Sequence, residues 1–148
     1  MPSVGVYFGE DLHAIDAKGR LNIPARHRRT AIRRGDKLWV MPGFEECLVI
    51  LDEEGFNAYA ERVRNLPGNA EEARRFDRAL FKRTAELEPD DQGRVVIPET
   101  LRRFAGLERS VLILGVNNRV ELWNPERFAA YEAASPLSMA EIARRLVF

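Results

Sequence analysis

Little in this chain equips it for catalysis or redox chemistry. Of its 148 residues, one is cysteine and two are histidine. Cys47 alone cannot close an internal disulfide or build a cysteine-based metal site, and within "ECLVIL" it reads as a small buried hydrophobe. His13 and His27 lie in different elements and form no His-x-x-x-His pair or other metal-ligand spacing. There is no glycine-rich phosphate loop, no dinucleotide-binding fingerprint and no serine or cysteine in a nucleophile signature. Asp16 and Asp90 are the one conceivable carboxylate pair. Each opens a tight-turn sequence and has an arginine close by, so a structural role is the simpler reading. The expectation is therefore no enzyme: no catalytic residue, no metal, no cofactor and no small-molecule substrate.

Long apolar runs are also missing. Nothing approaches the roughly 18 consecutive apolar residues of a membrane span, and the opening "MPSVGVYFGEDLH" lacks the basic start and apolar stretch of a secretion signal. A cytoplasmic protein with no membrane partner is expected. With 45% hydrophobic residues, the chain can bury one core or two small, closely associated ones.

Net charge is absent as well, since Lys plus Arg and Asp plus Glu both number 23. The total hides a segregation. Residues 18–34, "KGRLNIPARHRRTAIRR", carry Lys18, Arg20, Arg26, Arg28, Arg29, Arg33 and Arg34 without one acid, whereas acids gather in "EECLVILDEE" and "ELEPDD". Such separation creates a local positive field on a neutral protein, although a basic run taken alone is equally compatible with an ordinary solvated helix face.

What the chain does contain is a phrase written twice. "DAKGRLNIP" returns as "DDQGRVVIP": Asp16, Gly19, Arg20, Ile23 and Pro24 match Asp90, Gly93, Arg94, Ile97 and Pro98 at a constant offset of 74. Arg28 and Arg29 match Arg102 and Arg103 at the same offset; Gly43 and Phe56 then match Gly115 and Phe128 at 72. In each copy a strand enters the Asp-x-x-Gly-Arg turn, where Asp accepts backbone hydrogen bonds and Gly takes a positive φ. A strand follows ("RLNI", "RVVI"), then Pro24 or Pro98 at the expected first helical position, a short basic helix, and two apolar strands: "KLWVM" and "CLVIL", or "SVLIL" and "RVELW". Half a sheet of this kind exposes apolar faces and edges, and two copies packed together can close them into a small barrel.

Helical patterns fill the rest. Asp52 caps a segment with Phe56, Tyr59, Val63 and Leu66 at helical spacing; "PGN" interrupts; Asn69 and Glu72 open a second helix with Phe76 and Leu80 on its apolar stripe. Asn124 before Pro125 starts a third, and Ser138 with Glu141 has the spacing of a capping box for a last short helix. The organisation expected is a first repeat at 6–56, connecting helices at 57–83, a second repeat at 84–128 and a helical tail at 129–148, with both repeats in one compact unit. The fold class is mixed α/β, mainly a β barrel plus peripheral helices.

The twin Asp-x-x-Gly-Arg phrases, "LNIPARHRR", "RRFDRALFKRTAELEPDDQGR" and "LILGVNNRVELWNPERF" together resemble the MraZ family of bacterial transcriptional regulators, over nearly the whole chain from about Val6. That resemblance implies AbrB-like (SpoVT-AbrB) swapped-hairpin half-barrels, both carried here by one chain. It implies a nucleoid-associated, sequence-specific DNA-binding regulator, usually a repressor, of the division and cell wall gene cluster. Such a regulator binds double-stranded DNA repeats in its own promoter region as a ring-shaped homo-oligomer. The family's DNA-contacting Asp-x-x-x-Arg phrase carries over to Asp16 and Arg20, and to Asp90 and Arg94.

Chemistry divides the labour further. Arg20 and Arg94, just past the turns, can reach guanine O6 and N7 or clamp a phosphate; Asp16, Gly19, Asp90 and Gly93 shape the turns and orient the arginines. Lys18, Arg26, Arg28 and Arg29 are expected on phosphates, with Arg33 and Arg34 as weaker candidates. The acid-free first run points to the first repeat as the dominant contributor to affinity. The alternatives left open are a salt bridge from each arginine to its turn Asp, an AbrB-like antitoxin or partner-binding protein, and a structural ring that binds no DNA.

Overall fold

Both copies of the phrase fold into the same series of elements. The computed structural model describes residues 5–32, 37–67 and 70–146. The first copy supplies β1 (Glu10–Ala14), β2 (Arg20–Asn22), helix α1 (Ala25–Ile32), β3 (Leu38–Pro42) and β4 (Leu48–Asp52). The second supplies β5 (Ala85–Leu87), β6 (Arg94–Val96), α4 (Glu99–Ala105), β7 (Ser110–Val116) and β8 (Arg119–Trp123). Between them lie α2 (Glu53–Arg64) and α3 (Ala70–Phe81), and α5 (Pro125–Ala133) and α6 (Met139–Leu146) follow.

The copies are intertwined. The first strand of each pairs with the third strand of the other: β1 with β7 (His13 opposite Val111) and β5 with β3 (Leu38 opposite Leu87). Their last strands meet in the middle, giving a six-stranded antiparallel sheet in the order β1-β7-β8-β4-β3-β5. The second strands form a separate two-stranded ribbon, β2 with β6. A pseudo-twofold relation follows from the register, because Leu21 faces its own counterpart Val95 in the ribbon and Val49 faces its counterpart Glu121 in the sheet.

Period-two alternation turns Leu21, Ile23, Val95 and Ile97 inward onto Val40, Leu48, Ile50, Val111, Ile113, Val120 and Leu122, so ribbon and sheet share one core. Full burial of a Val or Leu side chain contributes about 1.5–3 kcal/mol. A mixed α/β protein built of two like repeats is thus what the alternation and the duplication produce. The second face of β3 and β4 is covered separately: Met41 and Leu51 pack with Leu80, Phe56, Tyr59, Phe76 and Phe81 of α2 and α3.

The capping signals act where they were read. Asp52 accepts a hydrogen bond from Gly55 N at 2.8 Å, and Asn124 accepts from Glu126 N and Arg127 N at 2.9 and 3.0 Å. Ser138 Oγ accepts from Glu141 N at 3.2 Å while donating to the Glu141 carboxylate, also at 3.2 Å. Asn69 lies outside the described residues. Pro98 stands one place earlier than expected, as the N-cap of α4 with φ −56° and ψ 144°, since its rigid φ suits an extended entry as well as a first turn. Leu66, expected on the apolar stripe of α2, is half exposed beyond the helix end. Cys47 is buried, and burial pushes its thiol pKa up to about 12, which leaves it a packing group rather than a nucleophile.

Candidate nucleic-acid interface

The two turns are near copies. Gly19 and Gly93 sit at φ +85° and +80°, a region that penalises any residue with a Cβ, and the N–H of each donates to the carbonyl of Asp16 or Asp90 at 2.9 Å. Asp16 Oδ1 accepts from the backbone N–H groups of Lys18 and Arg20, both at 2.9 Å; Asp90 does the same with Gln92 and Arg94, again at 2.9 Å. The second oxygen takes the arginine side chain: Arg20 Nε to Asp16 Oδ2 at 2.6 Å, Arg94 Nε to Asp90 Oδ2 at 2.9 Å. The Arg20 backbone hydrogen bond, then its side chain, hold the Asp16 carboxyl down at about 2. Asp90 is lowered chiefly by the Arg94 backbone N–H, and both carboxylates are charged at neutral pH.

This ion pair orients each arginine without consuming it. Binding through Nε leaves Nη1 and Nη2 without a protein partner among the described residues, and the side chains of Arg20 and Arg94 are 44% and 39% exposed. Two parallel terminal N–H donors are the arrangement that matches guanine O6 and N7, or two phosphate oxygens.

The ribbon brings the two arginines together. Arg20 faces Val96 and Arg94 faces Asn22, so all four project from the outer face while Leu21 and Val95 fill the inner one. Arg20 and Arg94 are diagonal neighbours, a relation that sets such residues about 7–8 Å apart. A two-stranded ribbon fits a major groove about 12 Å wide. Asn22 and Val96 were missed in the sequence; the signal was the alternation in "RLN" and "RVV", which puts the residue two past each arginine on the same face.

The other basic residues separate into two groups. Lys18 and Arg29 are exposed, and neither side chain has a partner among the described residues. Arg26 is engaged within the protein: it pairs with Asp11 and donates from Nε to the Phe8 carbonyl at 2.9 Å, tying β1 to α1. Arg28 donates from Nε to the Ile23 carbonyl at 2.9 Å and lies across Gly93 of the second turn, where a Cβ would come within 2.4 Å of its Cδ. Arg102 mirrors it, donating to the Ile97 carbonyl at 3.0 Å and to the Ala17 carbonyl at 3.3 Å against Gly19 of the first turn. Arg33 and Arg34 are outside the described residues.

Each helix therefore serves the other repeat's turn, which redistributes the charge. The acid-free first run does not gather around Arg20: its helix flanks the second turn, and α4 flanks the first. On α4, Arg103 is tied to Glu99 at 2.5 Å. Between Arg26 and Arg28, His27 is buried, and its Nε2 has no hydrogen-bond partner among the described residues. Burial, reinforced by the Arg26 charge and partly offset by Asp11, lowers its pKa. Among the described residues no cluster of His, Cys, Asp and Glu could hold a metal ion, and no helix is long and apolar enough to cross a membrane.

The fold and site define a mixed α/β protein of two intertwined β-hairpin repeats that present two oriented arginines on an exposed ribbon. Comparison with known proteins narrows this class. The family model described as "MraZ protein, putative antitoxin-like" matches residues 6–79 and again 80–148. A "Transcriptional regulator MraZ" from Symbiobacterium thermophilum is 40% identical over 140 residues, covering 95% of this chain and 99% of the relative. Proteins of the same name from Acetivibrio thermocellus and Carboxydothermus hydrogenoformans are 36% and 38% identical, covering 95% and 96% of this chain and 96% and 97% of their own. The chain belongs to the MraZ family.

Proposed function

We propose that this protein is a sequence-specific DNA-binding transcriptional regulator that lays its β2-β6 ribbon in the major groove. The observation that carries the reading is the outward pair Arg20 and Arg94, each anchored through Nε and free at both terminal nitrogens. Each fork suits a guanine edge, Asn22 suits an adenine N6 and N7, and Val96 suits a thymine methyl. Because Asn22 and Val96 differ where the arginines agree, the ribbon reads an asymmetric box. Lys18 and Arg29 contact phosphates, which fix position without reading sequence. Arg26 and Arg28 hold the ribbon and its turns in shape and contribute charge only at longer range. The names of the relatives support regulation of transcription as the role.

On this reading the protein is cytoplasmic and nucleoid-associated, and it represses its own division and cell wall gene cluster from tandem promoter repeats. One ribbon grips one box modestly. Copies joined in a ring make later contacts intramolecular, raising avidity by about 10² to 10⁴ over a single site, so box spacing becomes part of the specificity. The test is a footprint on the DNA upstream of the protein's own gene, with Arg20→Ala and Arg94→Ala alongside. Protection of spaced boxes by the wild type alone is expected. Equal protection by both variants would remove the ribbon from the reading.

A further inference from the structure

The last helix is built to pack, yet the described residues leave its apolar face uncovered. Met139, Ile142 and Leu146 recur at helical spacing on α6, and all are exposed, Met139 and Leu146 to 85% and 80%. No residue of α6 is buried. Eight residues are too few for a stable isolated helix in water, where about 12–15 are needed even for favourable sequences. Its Ser138–Glu141 capping box fixes where the helix starts but supplies only local hydrogen bonds. The helix is therefore a segment whose apolar face requires a partner.

The same chain carries a matching receptor. A groove of about 530 Å³ lies between the outer face of β3 and β4 and helix α2, with Met41, Val49 and Leu51 lining it beside Tyr59. The exposed acid Glu45 also lines it. The other charges there are largely committed: Arg119 pairs with Glu121 at 2.9 Å, Asp52 accepts from Tyr7 Oη at 2.6 Å, and Arg62 stands 5.4 Å over the Tyr59 ring. The Glu45 carboxylate beside an apolar lining complements α6, whose last turn carries Arg144 and Arg145 next to its apolar stripe.

We propose that α6 of one copy docks in the α2 groove of the next, as an amphipathic helix in an apolar groove. The inference rests on the self-association in the reading above and supplies its surface. Every copy holds one helix and one groove, so the contact is head-to-tail and propagates from copy to copy until it closes into a ring.

The experiment measures the mass of the full chain in solution by light scattering, with thermal melting as the check on folding. Wild type is expected to assemble. Ile142→Asp, which charges the helix face, and Ala58→Trp, which fills the groove from an exposed position on α2, are each expected to give single copies with an unchanged melting transition. Ala58→Glu serves if the tryptophan perturbs folding. Arg144→Glu is expected to weaken assembly and Glu45→Arg to restore it. If Ile142→Asp leaves the mass unchanged while wild type assembles, α6 is not the connector and the inference falls, with self-association intact. If Ile142→Asp dissociates the protein but the Ala58 variants do not, the helix docks elsewhere, such as on the exposed strip of Val6, Phe8 and Leu12, and the groove assignment falls. A wild type that stays a single copy overturns both, while single-box DNA binding still reports separately on the ribbon.

Discussion

Arg28 of the first repeat lies across Gly93 of the second, and Arg102 of the second lies across Gly19 of the first. Each arginine closes its own helix entry by donating to the Ile23 or Ile97 carbonyl, and its shaft covers the other repeat's turn. Integrity of the two turns is thereby linked to the intertwining of the repeats.

A methyl group should expose this link. Gly93→Ala places a Cβ at φ +80° and within 2.4 Å of the Arg28 side chain; Gly19→Ala places one at 2.5 Å from the Ile97 carbonyl oxygen. The left-handed conformation alone costs about 1–2 kcal/mol. Chemical denaturation should show both variants destabilised by at least that much. Arg28→Ala should recover part of the loss for Gly93→Ala and none for Gly19→Ala, whose obstacle is backbone. Full recovery of both would disconnect the arginine from the effect.

The exchange of helices also changes what the two arginines should do. From the sequence alone Arg20 was expected to outweigh Arg94, because the basic run surrounds it. With α1 beside the second turn, Arg20→Ala and Arg94→Ala should weaken operator binding comparably. Each should cost about 1–3 kcal/mol, the range for a bidentate base contact. Arg→Lys should rescue little, since an ammonium cannot reproduce the planar fork. A gel-shift titration in which one variant loses tenfold more than the other would restore the unequal picture.

Salt should separate phosphate contacts from base contacts. Lys18→Ala and Arg29→Ala should weaken all DNA sequences alike, each lowering the slope of log K against log salt by about one. Asn22→Ala should leave that slope intact and relax selectivity at one base position. An unchanged preference across a set of single-base box variants would take Asn22 out of the reading head.

His27 predicts a pH dependence of stability. Burial lowers its pKa in the folded protein below the ordinary 6.5, so the unfolded chain binds the proton more readily. Stability should be complete above about pH 6.5 and decline as the pH falls from there toward the lowered folded value. His27→Leu should flatten that segment of a denaturation-against-pH curve. The turn aspartates act in a separate window: their lowered pKa values stabilise the fold above the ordinary value of 3.8, and for Asp16 this support is lost as pH falls toward about 2. A slope unaltered in His27→Leu would assign the decline to another group.

Much of this could be read locally. The duplicated phrase, the turn chemistry of Asp16 with Gly19 and of Asp90 with Gly93, the order of elements in each repeat, and the caps at Asp52, Asn124 and Ser138 all depend on residues within a few positions of one another. Short-range hydrogen bonds and backbone sterics specify them whatever the rest of the chain does. Arg20 and Arg94 stood out for the same reason, each lying four residues from the carboxylate that orients it.

Which copy each strand and helix would join was not written locally. β1 could have paired with its own third strand, and the register that sends it to β7 is decided by the closing of one apolar core around Leu21, Val95, Ile113 and Leu122. That long-range choice sets Asn22 and Val96 beside the two arginines and turns Arg26, Arg28 and Arg102 inward as ties. It also carries the basic helix to the opposite turn. The sequence by itself determined the parts, because their forces act over a few residues; the tertiary structure decided their company, because burial counts only the surface the whole chain removes from water.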